Sequence, residues 1–267
     1  MLWHDGVALG PDAALDRGLE FGDGLFETIA VVDGRPRLLA RHLARLADGC
    51  ARLGIEAPAS ELLARELEAA ARIPGTGLLK LVVTRGAGLS GYAARADQPA
   101  SRWLAALPPR PRPAAHAAAG ITLRVLATRL AEQPLLAGLK HLNRLEQVLG
   151  RRELAGGADE GLMLDVRGRA VCGTMSNVFA VIDQRLVTPS LERAGVAGVM
   201  RAALLDAWRA AGRAVEVRDL MPEELAAASE IFVSNALIGV WPVAALGARR
   251  LAPGPCAREA QAWIAGF

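Results

Sequence analysis

Lysine is rare in this chain, and its two positions are the natural place to look for amine chemistry. Only Lys80 and Lys140 are lysines among 31 basic residues. A lysine amine can lose its proton and act as a nucleophile or base, whereas an arginine guanidinium stays protonated. Lys140 follows Gly138 at the predicted start of a helix over residues 141–154, where the helix dipole lowers the pKa of a desolvated amine. The alternative is that the two lysines have no chemical role and remain by chance in an arginine-rich composition.

A second candidate is the glycine-containing turn Gly195–Gly198, which leads directly into a predicted helix ending near Ala211. Glycines before a helix allow the first-turn N–H groups to approach an anion closely, and the helix dipole favours negative charge there. The turn is therefore a candidate phosphate cradle, although an ordinary glycine-rich helix cap has the same pattern. It lacks the Gly-Lys-Ser/Thr ending of a P-loop, which argues against a nucleoside triphosphate.

Residues 86–91 match the dinucleotide pattern GxGxxG, but no helix is predicted after the glycines. A nicotinamide site is therefore rejected, because the pyrophosphate needs a helix N-terminus. This loop is instead predicted to be flexible backbone beside a pocket, with Arg85 and Tyr92 as polar contacts; a plain solvent loop is the alternative. There is no His-Glu-x-x-His and no Gly-x-Ser-x-Gly, so neither a metal site nor a serine triad is expected.

An amphipathic helix that ends near Gly54 is predicted from apolar residues three or four apart. His42 and Arg45 lie beside its apolar stripe, and the simplest interpretation of the pair is a solvated basic face. The stripe consists of Leu39, Leu43, Leu46, Cys50 and Leu53.

Composition narrows the class of protein. Apolar residues make up 52% and charged residues 22% of 267, which is typical of a globular protein. The net charge of +3 comes from interleaved acidic and basic residues, so no nucleic-acid partner is expected. No apolar run approaches the roughly 20 residues of a membrane helix, and no secretory signal begins the chain. Three cysteines without a CxxC pattern fit a reducing compartment, and a cytoplasmic location is expected.

The order of predicted elements indicates an α+β fold, because hairpin strands are mixed with helices rather than alternating in βαβ units. Three segments are predicted. Residues 1–108 form a small N-terminal lobe, 109–119 a proline-rich linker, and 120–267 a larger C-terminal lobe that contains Lys140.

Four motifs in this order resemble the fold-type IV family of pyridoxal-phosphate enzymes, which includes branched-chain aminotransferases, D-amino acid transaminases and aminodeoxychorismate lyases. They are the segment 21–27, the helix segment 42–46, Lys140 at the Schiff-base lysine position, and the turn 195–201. Within the family, segments 138–147, 173–177 and 234–236 most resemble those of the aminodeoxychorismate lyases. The similarity covers nearly the whole chain.

The resemblance implies a two-lobed D-amino acid aminotransferase-like fold with pyridoxal 5'-phosphate as cofactor. Lys140 would hold the cofactor covalently and then act as the catalytic acid and base. Glu27, Arg85 and Tyr92 would contact the substrate. The implied cofactor-binding residues are Arg45, Lys140, Cys172, Val196, Val199, Met200, Asn235 and Ala236.

Cys172 departs from the family pattern, because relatives usually have a glutamate there that keeps the pyridine nitrogen protonated. A thiol is a weak partner, although a thiolate beside a pyridinium could form a pair with a lowered thiol pKa. We hypothesise that a lyase tolerates this change better than a transaminase, since forming an aromatic product drives elimination forward. A different group serving the nitrogen, or low activity, are the alternatives.

The resemblance therefore implies a lyase that converts 4-amino-4-deoxychorismate to 4-aminobenzoate and pyruvate in folate biosynthesis. A transaminase on the same fold is the nearest alternative, and a cofactor-binding protein with little catalysis is a more distant one. A small-molecule substrate and a homodimer are expected, without nucleic-acid or membrane partners.

Overall fold

The computed structural model describes residues 3–4, 7–8, 15–88, 91–95 and 98–266. The chain divides into two compact units, of which the first comprises Met1–Pro108 with Lys140–Asn143. The second comprises Pro109–Leu139 with Arg144–Phe267. The segment containing Lys140 belongs to the first unit, whereas the sequence had placed it in the C-terminal lobe.

The described part of the first unit contains a four-stranded antiparallel sheet in the order β4-β3-β5-β6 and a separate β1–β2 pair. Its strands are β1 (Trp3–His4), β2 (Val7–Ala8), β3 (Gly24–Val32), β4 (Arg35–Pro36), β5 (Leu78–Thr84) and β6 (Ser101–Leu107). Its helices are α1 (Arg17–Phe21), α2 (Leu39–Leu53) and α3 (Ser60–Ala71).

Helix α2 confirms the predicted amphipathic helix. It ends at Gly54, which has φ +64° and is the left-handed residue that terminates many helices. The buried residues Leu46 and Cys50 lie on the face of α2 that packs against β3. Leu25 and Ile29 are buried on β3, and each lies two residues from Glu27, one before it and one after it. Strand alternation therefore places Glu27 on the buried face between two apolar side chains.

The second unit begins with a helix rather than a continuous linker. Residues 114–119 of the predicted linker form α4 (Ala114–Ala119), which follows Pro113 and ends at Gly120. The prolines end at 113, and five of the six residues that follow are alanine, the residue with the strongest helix propensity. Among the described residues, no helix is both long enough and apolar enough to cross a membrane.

Nine strands of the second unit form one mixed sheet within the described residues, in the order β12-β11-β10-β13-β14-β7-β8-β9, with β15 on β14. The strands are β7 (Ile121–Leu130), β8 (Glu160–Asp165), β9 (Ala170–Gly173), β10 (Asn177–Ile182), β11 (Arg185–Pro189), β12 (Val215–Arg218), β13 (Glu230–Asn235), β14 (Gly239–Leu246) and β15 (Arg249–Arg250). The other helices are α5 (Leu145–Arg152), α6 (Val199–Ala210), α7 (Pro222–Ala227) and α8 (Pro255–Ile264).

The central strands β10 and β13 are buried on both faces. Val178, Ala180, Ile231 and Val233 belong to one apolar cluster. On the opposite face Phe179 and Phe232 stack with ring centroids 4.9 Å apart, and helices α6 and α8 pack against β13. Antiparallel pairs predominate, but β11–β12, β14–β7 and β7–β8 are parallel. This mixture of helices and hairpin strands confirms the predicted α+β class.

Candidate active site

Lys140 lies in a segment that extends the first unit's sheet. The backbone N–H of Phe26 donates to the Lys140 carbonyl at 3.0 Å, and Leu142 N–H donates to the Gly24 carbonyl at 3.0 Å. The Lys140 Nζ is 4.1 Å from the centroid of the Phe26 ring. These contacts fix both the backbone and the amine of Lys140 against β3.

The predicted helix start at Lys140 is wrong. Helix α5 begins at Leu145, after the N-cap residue Arg144, so Lys140 is not at the start of that helix. The physical reason is competition for backbone hydrogen bonds. Residues 140–142 pair with β3, including a bridge between Leu25 and His141, and a paired extended segment cannot be helical.

The other lysine is placed differently. Lys80 lies in β5 opposite Thr28 of β3, and it is exposed. Its Nζ is 5.7 Å from the Phe26 ring centroid, farther than the Nζ of Lys140. Lys80 therefore provides a natural control for experiments on the amine of Lys140.

Glu27, His42 and Arg45 form a buried charged network in the first unit. The Nδ1 of His42 lies 2.6 Å from Glu27 Oε2, and Arg45 Nε donates to Glu27 Oε1 at 2.8 Å. A second Arg45 nitrogen, Nη2, donates to Glu27 Oε2. Burial raises the pKa of Glu27, but the hydrogen bond from His42 and the charge and hydrogen bonds of Arg45 outweigh it, so the pKa is lowered. Glu27 is therefore held as a carboxylate.

The network corrects one interpretation of the sequence. His42 is 1% exposed and belongs to the buried face of α2, so it is not part of a solvated basic face. Its spacing contained the signal, because His42 lies three residues after Leu39 and four before Leu46. Arg45, predicted to bind the cofactor phosphate, makes two hydrogen bonds to Glu27, which was predicted to contact the substrate.

Arg85 and Tyr92, the other two predicted substrate contacts, differ in their surroundings. Arg85 donates to Asp23 at 2.7 and 3.1 Å and to the carbonyls of Leu53 and Gly54 at the end of α2. Tyr92 is 90% exposed and its ring lies 5.3 Å from that of Phe21. No helix begins in the described residues of this loop (85–88, 91–95 and 98–100).

In the second unit, the turn before α6 has the predicted form. Gly195 has φ +87°, a conformation that L side chains rarely adopt, and a Cβ there would lie 2.8 Å from Val171 Cγ1. Gly198 is the N-cap of α6 and no side chain caps that helix. Val199 and Met200 are thus the first helical residues, and their N–H groups lack intrahelical partners. A Cβ on Gly198 would overlap Asn177 Oδ1.

Backbone contacts tie the turn to the chain just before Lys140. Gly138 pairs with Val196 in a parallel bridge, with Gly138 N–H donating to the Gly195 carbonyl at 3.0 Å. Ala197 N–H donates back to the Gly138 carbonyl at 2.9 Å. The residue two positions before Lys140 is therefore held against the candidate phosphate turn.

Two asparagines connect the remaining predicted residues of this unit. Asn177 Nδ2 donates to the Val196 carbonyl at 2.9 Å. Asn235 Nδ2 donates to the Met175 carbonyl at 3.0 Å, and its Oδ1 accepts from the next turn, which includes Ala236. In the second unit, Asn177 therefore holds Val196 to β10, and Asn235 holds the turn that includes Ala236 to the Met175 carbonyl. Val199 and Met200 begin α6. The side chain of Asn235 is already used to shape its own turn.

Cys172 lies beneath this turn as a neutral thiol. Its side chain is buried at the end of β9, and a Cβ on Gly195 would be 3.8 Å from its Sγ. Burial and the nearby Glu160 carboxylate raise the pKa of Cys172 to about 12, although Arg144 acts in the opposite direction. The structure therefore contradicts a thiolate with a lowered pKa at this position.

Glu160 was not singled out from the sequence, yet it organises the loop after Cys172. This carboxylate is fully buried at the start of β8 and accepts hydrogen bonds from Thr174 N at 3.0 Å and Ser176 Oγ at 3.0 Å. The N–H of Gly161 donates to it at 2.8 Å. No sequence pattern predicts these hydrogen bonds of Glu160, because the strand register that buries it depends on pairing with β9.

These donor sets fit the chemistry of pyridoxal 5'-phosphate. The first unit supplies a primary amine on a fixed backbone, the group that an aldehyde requires. The second unit supplies a twelve-residue helix whose N-terminus is free of any side-chain cap, the arrangement that binds phosphate oxygens. The small residues Gly195 and Gly198 leave the approach to those N–H groups without side-chain carbon.

Comparison with known proteins identifies pyridoxal-phosphate enzymes as relatives of this chain. The model of amino-transferase class IV matches residues 24–246. An aminodeoxychorismate lyase from Vibrio harveyi is 33% identical over 250 residues, covering 93% of this chain and 92% of its own. The crystal structure of 4-amino-4-deoxychorismate lyase from Pseudomonas aeruginosa superimposes with a TM-score of 0.91 at 49% identity, covering 99% and 98% of the two chains. A putative branched-chain aminotransferase from Methanocaldococcus jannaschii is 31% identical, over 86% of this chain and 81% of its own.

The fold and the cofactor predicted from the sequence are thereby confirmed. The match spans most of the chain, both units included, and the architecture is that of fold-type IV enzymes, which are pyridoxal-phosphate dependent. This chain belongs to the class IV aminotransferase family.

Proposed function

We propose that this protein is a pyridoxal-phosphate-dependent lyase that converts 4-amino-4-deoxychorismate to 4-aminobenzoate and pyruvate, a step towards folate. The observation that supports this most strongly is the placement of Lys140, whose amine and backbone are fixed against Phe26 and β3. It lies in a chain that is similar over almost its entire length to a lyase with that substrate in its name.

Lys140 has the central chemical role in this proposal. The bound cofactor supplies an aldehyde for the substrate amine and a ring that withdraws electrons. The Nζ of Lys140 takes the proton from C4 of the substrate. The substrate's C3–O bond breaks as the substrate ring becomes aromatic. The same Nζ gives this proton to the oxygen of the departing enolpyruvate. Enolpyruvate then tautomerises to pyruvate. One amine thus serves as base and then as acid.

The phosphate contacts are assigned mainly to the second unit. The N–H groups of Val199 and Met200 would hold the cofactor phosphate, and Val196 would contact the bound cofactor. Asn235 and Ala236 shape the neighbouring turn. Arg45 adds a guanidinium from the first unit, and because Glu27 already fixes one edge of it, its remaining N–H groups are held in one orientation.

Substrate contacts are assigned to Glu27, Arg85 and Tyr92. Arg85 is already paired with Asp23, so a substrate carboxylate must share or displace that interaction. Tyr92 is exposed and has no such constraint. We assign to Cys172 the role of the family's glutamate, and its neutral thiol would give the bound cofactor no anionic partner at that position. This arrangement favours elimination over transamination, which needs a strongly electron-withdrawing ring.

One assay separates lyase from transaminase. Purified protein is incubated with 4-amino-4-deoxychorismate, and 4-aminobenzoate and pyruvate are measured together; the lyase forms them in equal amounts. A transaminase instead converts an amino acid and a keto acid and releases no 4-aminobenzoate. Absence of 4-aminobenzoate together with amino-group exchange would replace the proposal with the transaminase alternative.

Lysine variants test the chemistry at Lys140. The wild-type protein is expected to be yellow, and borohydride reduction should attach the cofactor to the peptide that contains Lys140. Lys140→Ala should be colourless after purification and lose at least about a thousandfold of activity, since base and acid are both removed. Lys80→Ala is the control and should retain colour, labelling and turnover. Turnover by a colourless Lys140→Ala protein would refute the assignment.

We also propose a homodimer in the cytoplasm. The dimer is supported by the family resemblance, and light scattering that gives a monomer mass would refute it. The cytoplasmic location is supported by three cysteines that are all free, two of them buried. Fractionation that finds the protein outside the cytoplasm would refute the location.

A further inference from the structure

The hydroxyl of Ser234 is buried without a partner among the described residues. Ser234 is 0% exposed in the central strand β13, and its Oγ has no hydrogen-bond partner in the described part of the chain. A buried hydroxyl without a hydrogen bond is unfavourable, and such groups are rare in folded proteins. A ligand that accepts a hydrogen bond from Ser234 would remove this penalty.

Strand register shows which way the hydroxyl faces. Ser234 lies directly opposite Asn177 in the antiparallel β10–β13 pair, and opposed side chains project from the same face of a sheet. The side chain of Asn177 reaches the turn before α6, since it donates to the Val196 carbonyl and would overlap a Cβ on Gly198. Ser234 therefore lies on the sheet face beneath the N-terminus of α6.

The charge around this helix end favours an anion. Helix α6 has twelve residues and no side-chain cap, so its first-turn N–H groups have no side-chain acceptor. Arg201, in that first turn, bonds to Thr188 Oγ1 and to the Pro189 carbonyl. No carboxylate among the described residues forms an ion pair with Arg201, so its positive charge is not neutralised locally.

We propose that Ser234 is a phosphate-binding residue whose hydroxyl donates to an oxygen of the phosphate monoester held at the N-terminus of α6. The inference rests on the proposed function only in identifying that monoester as the cofactor phosphate. It adds a side-chain donor to a site otherwise built from backbone N–H groups.

The test compares Ser234→Ala with Ser229→Ala. The Ser229 hydroxyl lies near the start of the same strand and donates to the Val181 carbonyl, so it is a serine with a satisfied structural bond. Affinities of cofactor-free protein for inorganic phosphate, pyridoxal 5'-phosphate and pyridoxal are measured by calorimetry. Melting temperatures are measured with and without phosphate. Ser234→Cys, which keeps the volume but replaces the donor with a weak one, is the second variant.

Ser234→Ala and Ser234→Cys are expected to bind phosphate and pyridoxal phosphate about tenfold to a hundredfold more weakly, as expected for loss of a hydrogen bond to a charged group. Pyridoxal, which lacks the phosphate, should bind unchanged. Without ligand, Ser234→Ala should melt no lower than wild type, because no protein hydrogen bond is lost. Ser229→Ala should bind phosphate normally.

Unchanged phosphate affinity in both Ser234 variants would overturn the inference. So would an equal loss of pyridoxal affinity together with a lower melting temperature without ligand, since that pattern indicates a structural serine. The result is separable from the proposed reaction. Weaker phosphate binding in a protein that forms no 4-aminobenzoate refutes only the lyase, and normal binding in one that does form it refutes only Ser234.

Discussion

Two regions of this molecule are equipped to handle negative charge, and they do so by opposite means. In the first unit, the buried Glu27 carboxylate is hydrogen-bonded by the side chains of both His42 and Arg45. In the second unit, the turn Gly195–Gly198 before α6 uses backbone N–H groups and small residues, with no side-chain cap. The Glu27 carboxylate of the first region is paired before any ligand arrives, whereas the second region has backbone donors still to be used.

The difference shows how each region meets the cost of burial. A buried carboxylate is tolerated only if its lost hydration is replaced, and Glu27 receives that replacement from two partners on α2. A helix N-terminus has no full charge to desolvate, because its partial charge arises from aligned peptide groups. The first region therefore fixes the orientation of its side chains, but the protein is destabilised if one partner is removed. The second region can bind an anion without burying a charged side chain.

The largest expected effect comes from breaking the first region. Glu27→Gln removes the buried carboxylate that pairs with Arg45 and with His42. We expect a loss of about 3–5 kcal/mol in the free energy of unfolding, the usual cost of breaking a buried ion pair. Urea denaturation measures it, with Glu66→Gln as control, because Glu66 pairs with Arg102 at the surface. Equal midpoints for the two variants would contradict this view of the network.

The two regions also differ in what the sequence could reveal. The glycine pattern predicted the turn and the start of α6 because both are local, depending on residues a few positions apart. The apolar stripe predicted α2 for the same reason. Only part of the network could be predicted. Arg45 was selected through the resemblance, whereas the pairing of His42 depends on Glu27 on β3, fifteen positions earlier.

Non-local pairing explains the remaining errors. The residues after Lys140 have a helical pattern, but pairing with β3 takes the first of them out of the helix. Glu160 and Ser234 acquire their roles through sheet register, since a one-residue shift would place either side chain on the opposite face. Register is set by the whole nine-stranded sheet, so no local pattern in the sequence could identify these two residues.

A smaller effect is expected from breaking the second region. Gly198→Ala has an allowed backbone, with φ −68°, but its Cβ would overlap Asn177 Oδ1 and push the first turn of α6 away from its position. We expect phosphate and pyridoxal phosphate to bind about tenfold more weakly, with a small loss of stability. Calorimetry on cofactor-free protein measures the affinity. Gly266→Ala, where a Cβ makes only an ordinary contact at 3.6 Å, is the control; equal affinities for the two variants would show that the turn tolerates displacement.

Acid pH should distinguish the regions further, because only the first has a titrating carboxylate with a lowered pKa. Burial raises the pKa of Glu27, but His42 and Arg45 together lower it below the ordinary value of 4.5. A lowered folded-state pKa contributes stability that is present above the unfolded-state pKa and is lost as pH falls through the folded-state pKa. The unfolding free energy should therefore fall below about pH 4.5, and less steeply in Glu27→Gln. If the unfolding free energies of wild type and Glu27→Gln fell equally as the pH is lowered, other carboxylates would be responsible for the loss of stability in acid.

The smallest effect concerns Cys172, the one residue of the second region that could have added an anionic side chain to it. Burial and Glu160 raise its thiol pKa to about 12, so at pH 8 on the order of one molecule in ten thousand has the reactive thiolate. Cys256 is half-buried and its pKa is raised to about 11, mainly by burial. Iodoacetamide should therefore label Cys256 first and leave Cys172 unmodified in folded protein, as peptide mass spectrometry would show. Rapid labelling of Cys172 would mean that a thiolate is available there after all. The second region would then hold a negative side chain of its own, and its contrast with the Glu27 network would disappear.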